Sequence, residues 1–159
     1  MKLLNNYFIK SIKLIFYTLH KSRNTMSDFN SNQINIIDSV FEKSNSGEIH
    51  FGEVIQQLIS VGIESYSVDY RRGETTYYLS NGSSLRLEFE AHPEKISKNF
   101  DAAKIKSAIS QAQSGTVMYP EFKELSYLAG CIGYTVWIAG KNVQYFSRNG
   151  EVHTEHFPQ

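Results

Sequence analysis

The sequence repeats itself. Displaced by 68 positions, residues 31–90 fall on residues 99–158 without a gap, and twelve of the sixty pairs are identical, against about four expected by chance at this composition. The identities include Ser46-Gly47 with Ser114-Gly115, Gly62 with Gly130, Tyr66 with Tyr134, Val68 with Val136, Tyr77 with Tyr145, Asn81-Gly82 with Asn149-Gly150 and Phe89 with Phe157. A unit of about 60 residues buries too little surface to be secure alone, whereas two units that share a core escape that limit. The repeat therefore predicts one domain over residues 26–159, a tandem duplication with repeats 31–90 and 99–158.

Each unit reads helix, helix, strand, strand, strand. Ile34, Ile37, Val40 and Phe41 recur at helical spacing, matched by Ala102, Ile105, Ala108, Ile109 and Ala112. Ser46-Gly47 and Ser114-Gly115 end these helices, and Asp101 suits the N-cap of the second copy. A second helix begins near Gly52 in one copy and near Pro120 in the other. Its apolar stripes are Val54, Ile55, Leu58 and Ile59, then Phe122, Leu125 and Leu128; Gly62 and Gly130 stop both. The first strand, 64–70 and 132–138, alternates. Tyr66, Val68 and Tyr70 face one way, and Ser65, Ser67 and Asp69 the other; Tyr134, Val136 and Ile138 repeat the apolar set. Strands at 75–79 and 143–147 lead through Asn81-Gly82 and Asn149-Gly150 into strands at 84–89 and 152–157; Asn-Gly favours a type I′ hairpin turn. The expected fold class is α+β, with a mostly antiparallel sheet, helices on one side and a pseudo-twofold axis between the halves. One continuous sheet and two facing three-stranded sheets both fit.

Residues 1–25 differ from the rest. They lack Asp, Glu, Gly, Ala, Val and Pro, and carry five basic residues and no acidic one. Five of the missing types are those with codons beginning in G, which is how translated AT-rich non-coding DNA reads. Met26-Ser27-Asp28-Phe29 resembles a natural start, so residues 1–25 are expected to be a non-native or disordered leader. A targeting or membrane-surface segment at Ile12 to Leu19 is the alternative, although Lys13 interrupts it and no small-residue cleavage site follows. Residues 26–159 hold 11 basic and 16 acidic side chains. That balance argues against nucleic acid as a partner, because phosphate contacts need clustered Lys and Arg. No stretch of 18 apolar residues offers a membrane span. The single cysteine, Cys131, excludes an internal disulfide and reads as a small buried hydrophobe at a helix-to-strand junction. A cytoplasmic protein is expected.

Two stretches, Val61-Gly62-Ile63-Glu64-Ser65-Tyr66-Ser67-Val68-Asp69-Tyr70 and Ala129-Gly130-Cys131-Ile132-Gly133-Tyr134-Thr135-Val136-Trp137-Ile138, together with Thr75-Thr76-Tyr77-Tyr78 and the ending from Gly150 to Pro158, resemble a known bacterial family. It is the YbcV-like domain of unknown function, whose members are sometimes labelled phage envelope protein. The resemblance covers residues 27–158. It implies a start near Met26 and carries no activity, cofactor or catalytic residue.

Chemistry is best sought where the copies differ. Asp69 aligns with Trp137, and Arg71-Arg72-Gly73-Glu74 aligns with Ala139-Gly140-Lys141-Asn142. A pocket at that end of the sheet would offer Asp69, Arg71 and Arg72 as polar anchors and Trp137 as a stacking wall; solvated arginines pairing with Asp69 is the plainer reading. Tyr66, Tyr77, Tyr134 and Tyr145, kept in both copies, are structural tyrosines or a ligand cage. In the last strand Glu151, His153 and Glu155 share one face and His156 takes the other. His153 and Glu155 could ligate a divalent metal, or the strand is a charged edge that resists aggregation. There is no phosphate-cradling Gly loop, no His-Glu-x-x-His, no Cys-x-x-Cys and no nucleophile elbow. A non-catalytic module binding a small ligand or peptide is the leading expectation, with no cofactor. The alternatives are a protein-interaction or regulatory factor of phage or mobile-element origin, acting by dimerisation or on another protein, and a metal-dependent enzyme.

Overall fold

A computed structural model describes residues 28–158; the expected leader, 1–25, lies outside the described residues. Helices α1 (Ser31–Ser46) and α2 (Phe51–Ser60) precede strands β1 (Ile63–Asp69), β2 (Glu74–Leu79) and β3 (Ser84–Glu88). A linker with one 3-10 turn, Pro93–Lys95, leads to α3 (Ala102–Gln113), α4 (Tyr119–Leu128), β4 (Cys131–Trp137), β5 (Asn142–Ser147) and β6 (Val152–His156). The strands form one six-stranded sheet in the order β3-β2-β1-β4-β5-β6, every pair antiparallel. The fold is therefore α+β, and the sheet is continuous.

Local chemistry sets the element ends. Asn30 caps α1 through a capping box: its carboxamide accepts from Gln33 N at 2.9 Å, and the Gln33 side chain accepts from Asn30 N at 2.9 Å. Asp101 caps α3 by accepting from Lys104 N at 3.0 Å. Gly47 ends α1 at φ 76, in the left-handed region that glycine enters without a Cβ penalty. Helices α2 and α4 begin at Phe51 and Tyr119, one residue before the positions expected from Gly52 and Pro120.

The hairpin turns differ from expectation. A type I′ turn needs positive φ at both central residues, yet among the described residues Lys141 is the only non-glycine with positive φ. In the β2–β3 turn Gly82 N donates to Leu79 O at 3.0 Å, Leu79 N donates to Ser83 O at 2.9 Å, and Gly82 alone is left-handed. That is a type I turn closed by a glycine bulge. Asn81 serves through its side chain, which accepts from Ser83 N at 2.9 Å. The β5–β6 turn repeats the pattern, with Gly150 N to Ser147 O and Ser147 N to Glu151 O.

The central pair, β1 with β4, joins the halves. Ser65 stands against Trp137, Ser67 against Thr135 and Asp69 against Gly133. The hydroxyls of Ser67 and Thr135 hydrogen-bond at 2.9 Å. Strand alternation sends Tyr66, Val68, Tyr77, Tyr134, Val136 and Tyr145, all buried, to the face on which the helices pack. From the helices come Ile37, Leu58 and Ile105, each with no exposed surface, and burying each such side chain stabilises the fold by about 2 kcal/mol. Ile59 and Leu128 do not join this core; they are 55% and 59% exposed. Helix α4 instead buries Phe122, Ser126 and Tyr127. Tyr127 meets the ring of Tyr70 edge-on, centroids 4.9 Å apart, and that contact sets the rotation of the helix. The linker is pinned to the second half, with Ser97 N donating to Tyr127 O and Asp101 N to Ala129 O, both at 2.9 Å.

Two substitutions test this frame. A Cβ on Gly133 would lie 2.2 Å from Val68 O in the central ladder, so Gly133→Ala is expected to cost about 2–4 kcal/mol in denaturant unfolding; a cost below about 0.5 kcal/mol would show that the ladder yields there. Lys141 holds φ 51 where the aligned residue of the first half is Gly73, so Lys141→Gly is expected to stabilise by about 0.5–1 kcal/mol.

Candidate functional site

The expected pocket uniting Asp69 with Trp137 does not form. Because β1 and β4 run antiparallel, Asp69 pairs with Gly133 while Trp137 pairs with Ser65. The two residues sit at opposite ends of the ladder, about 13 Å apart along the strand. Alignment of the halves makes them equivalent, and an antiparallel centre carries equivalent positions to opposite ends.

Each residue has a local role instead. The Asp69 carboxylate accepts from Arg71 N at 2.8 Å, Arg72 N at 3.2 Å and the Arg71 guanidinium at 3.0 Å, and so builds the β1–β2 turn. Burial pushes its pKa up, but the hydrogen bonds from the Arg71 side chain and from the backbone of Arg71 and Arg72, with the Arg71 charge, outweigh burial and hold it below the usual value. Arg72 pairs with Glu74 at 2.8 Å, and Arg86 spans Glu74 and Glu88 at 3.5 and 3.4 Å. Such half-exposed pairs contribute little stability. Trp137 lies 43% exposed on the same sheet face as Asp69, the one turned away from the helices, and donates its indole N–H to Gln144 Oε1 at 2.9 Å. The hollow beside Asp69, about 280 Å3, is lined by Arg71, Glu74, Thr76, Tyr78 and Phe146 and excludes Trp137.

The four tyrosines do come together. Tyr66, Tyr77, Tyr134 and Tyr145 form the floor of a cleft of about 720 Å3 between the sheet and the helices. Their rings are near neighbours: Tyr66 to Tyr77 at 5.5 Å, Tyr134 to Tyr145 at 5.6 Å and Tyr66 to Tyr134 at 6.3 Å between centroids. The walls are apolar, with Phe41 and Ile55 on one side and Ile109 and Phe122 on the other. The rim is formed where the α1–α2 and α3–α4 turns approach: His50, Phe51, Gly115 and Met118, with Phe157 and Pro158 from the chain end. Phe51 meets Phe157 edge-on at 5.7 Å. Gly47 packs near Met118 and Pro120, and Gly115 near His50.

The electrostatics are distinctive. Among the described residues no Lys or Arg lines the cleft, and Glu155 is its one carboxylate. Lys123, close by on α4, donates to Asn45 Oδ1 at 3.1 Å and lies 4.3 Å over the Phe89 ring. Burial lowers its pKa, against a smaller opposing pull from Glu124. The hydroxyls of Tyr66, Tyr77 and Tyr145 have no hydrogen-bond partner among the described residues, yet they are not sealed off as those of Tyr70 and Tyr127 are. Burial is the main cause that raises the pKa of Tyr66, Tyr70, Tyr77, Tyr119, Tyr134 and Tyr145, and of Tyr127 to about 12.

The structure also brings His153 and Glu155 together, Nε2 to Oε2 at 3.2 Å, at the edge of the cleft beside Tyr145. Glu151 does not join them: its carboxylate accepts from Ser147 Oγ at 2.9 Å in the hairpin turn. His156 lies exposed at the strand end, across the ladder from Asn142. Among the described residues no group of three or more His, Cys, Asp or Glu is placed to hold a metal. Cys131 is fully buried, donates weakly to Gly133 O, and has its pKa raised by burial to about 11. It is the inert hydrophobe the sequence implied. Sequence reasoning missed His50, Phe51, Tyr119 and Phe157. The sequence signals for them were the Phe51/Tyr119 correspondence just after the helix-ending glycines and the Phe89/Phe157 identity.

The buried phenols make a pH prediction. A phenol that ionises only in the unfolded chain stabilises the fold fully below the ordinary tyrosine value of 10.0 and loses that contribution as pH rises above it. Absorbance at 295 nm is expected to show the buried tyrosines ionising together with cooperative loss of the near-ultraviolet circular dichroism. Smooth ionisation near pH 10 with the fold intact would place their hydroxyls in free contact with water.

No curated protein matches this chain. A family model described as protein of unknown function, DUF1398, matches residues 38–156, and the chain belongs to that family.

Proposed function

We propose that the protein is a non-catalytic module that binds a small molecule in the tyrosine-floored cleft. The observation that carries this reading is the cleft itself. Protein interiors are close-packed, yet here about 720 Å3 stays open at the centre of the fold, between aromatic and aliphatic walls. That size lies within the usual range of ligand sites, about 300–1,000 Å3. The lining has the usual composition as well: a largely apolar surface with a few converging polar groups, here Tyr66, Tyr77, Tyr134 and Tyr145. We read the two halves as a tandem duplication, so that one cleft spans both and each supplies half of the floor.

A second reading is supported by a different observation. Trp137 and Val152 are 43% and 49% exposed on the sheet face away from the cleft. An exposed aromatic on a sheet face suits a protein-interaction or regulatory factor, self-associating or acting on another protein. The resemblance to the YbcV-like family supports a bacterial setting and a phage or mobile-element origin for that reading.

The neutral dye N-phenyl-1-naphthylamine separates the two. It is expected to bind saturably with a blue-shifted emission. Ile55→Trp and Ile109→Trp, each filling one wall of the cleft, are expected to weaken it at least about tenfold while circular dichroism stays native. Dye binding that survives both variants and disappears in Trp137→Ala would move the site to the opposite face and support the second reading.

A further inference from the structure

We propose that the occupant of the cleft is an uncharged, flat ring compound that carries hydrogen-bond acceptors on one edge, such as carbonyl, ether or ring-nitrogen atoms. The inference rests on the binding reading above and adds the chemistry of the ligand. The floor decides the polar part. Tyr66, Tyr77 and Tyr145 are each more than nine-tenths buried, and among the described residues nothing accepts their hydroxyl protons. A phenol is a better donor than acceptor, because its oxygen lone pair is drawn into the ring. A buried donor left unmatched is unfavourable, so three such groups on one surface favour a ligand that supplies acceptors.

The absence of Lys and Arg among the lining residues described decides the charge. A phosphate or carboxylate would lose its water and gain no Lys or Arg in exchange. Lys123 cannot serve, because Asn45 and the Phe89 ring already hold its ammonium group. A cationic ligand would find one carboxylate, Glu155, and His153 already holds that. The aromatic rings of the lining decide the shape. The Tyr66 and Tyr77 rings tilt 33° from one another, and Tyr119 and Phe122 lie stacked at 24°. Flat aromatic faces of this kind favour a flat partner.

Three probes of similar size test the class by displacing N-phenyl-1-naphthylamine from the full chain. They are flavone (neutral, with a carbonyl and a ring ether), 2-phenylnaphthalene (no acceptor) and a flavone carboxylate (anionic). Flavone is expected to compete at least about tenfold more strongly than either of the others, the size of one net hydrogen bond or of an uncompensated charge. In the double variant Tyr77→Phe/Tyr145→Phe, flavone is expected to lose its advantage over 2-phenylnaphthalene while the dye still binds. The single variants are expected to show part of that loss, which keeps the test available where the double variant does not fold. Tyr70→Phe, whose hydroxyl is enclosed away from the cleft, is expected to leave the preference unchanged. Equal competition by the hydrocarbon, preference for the carboxylate, or an advantage unaltered by the Tyr77 and Tyr145 variants would each overturn the ligand class and leave the cleft as a binding site. Failure of the wild-type chain to bind the dye or any of the three probes would overturn both.

Discussion

Everything in this fold depends on the antiparallel ladder between β1 and β4. The other four strand pairs are hairpins whose partners lie a few residues apart. Ser67 and Thr135, which share a hydrogen bond at the middle of the central ladder, lie 68 residues apart. That pairing turns two three-stranded sheets into one of six strands. It sets Tyr66 beside Tyr134, and it brings the α1–α2 and α3–α4 turns face to face above them. The cleft is what these turns leave open. The ladder tolerates little change where Gly133 passes close to Val68 O.

The same ladder explains what was legible in the sequence. Period-two alternation put Tyr66 and Tyr134 on the apolar faces of their strands, because a side chain's face is a local property of a strand; Tyr77 and Tyr145 stood out only by being kept in both halves. Helix-ending glycines and the Asp101 cap were legible for the same reason: each acts within one turn of chain. The Asp69–Trp137 pocket failed because the repeat equates positions that the ladder sends apart. The type I′ turn failed because Asn-Gly is compatible with two hairpin types, and the second is one residue longer. Ile59 and Leu128 satisfied a helical stripe but lost their place to contacts from elsewhere, the Tyr70–Tyr127 ring pair among them. The rim residues His50, Phe51 and Phe157 come from three separate segments, and only tertiary structure assembles them.

The chemistry of the site is defined by what its groups are not bonded to. Around Asp69 every charge is matched nearby, by Arg71, by turn N–H groups or along the Arg72–Glu74–Arg86 chain. Such saturation marks a structural cluster. The tyrosine floor is the reverse case: large apolar rings fix its position, and among the described residues the hydroxyls of Tyr66, Tyr77 and Tyr145 have no hydrogen-bond partner. The His153–Glu155 pair stands between these extremes, internally matched yet next to the cleft, where it fixes the imidazole beside Tyr145.

A ladder whose two strands belong to separate halves can form equally well between two chains. The hydrogen bonds would be the same if β1 of one molecule met β4 of another, so the sheet itself does not choose monomer over exchanged dimer. The choice falls to the connection from Phe89 to Asp101. Its far end is anchored on α4, through Ser97 to Tyr127 and Asp101 to Ala129, which fixes where the second half begins relative to its own core. A short anchored connection keeps the halves at an effective concentration on the order of millimolar, so a partner chain competes for β4 only when crowded to that level. Domain exchange is thus opposed by tether length, a restraint that the thirteen residues from Phe89 to Asp101 supply without contributing a strand.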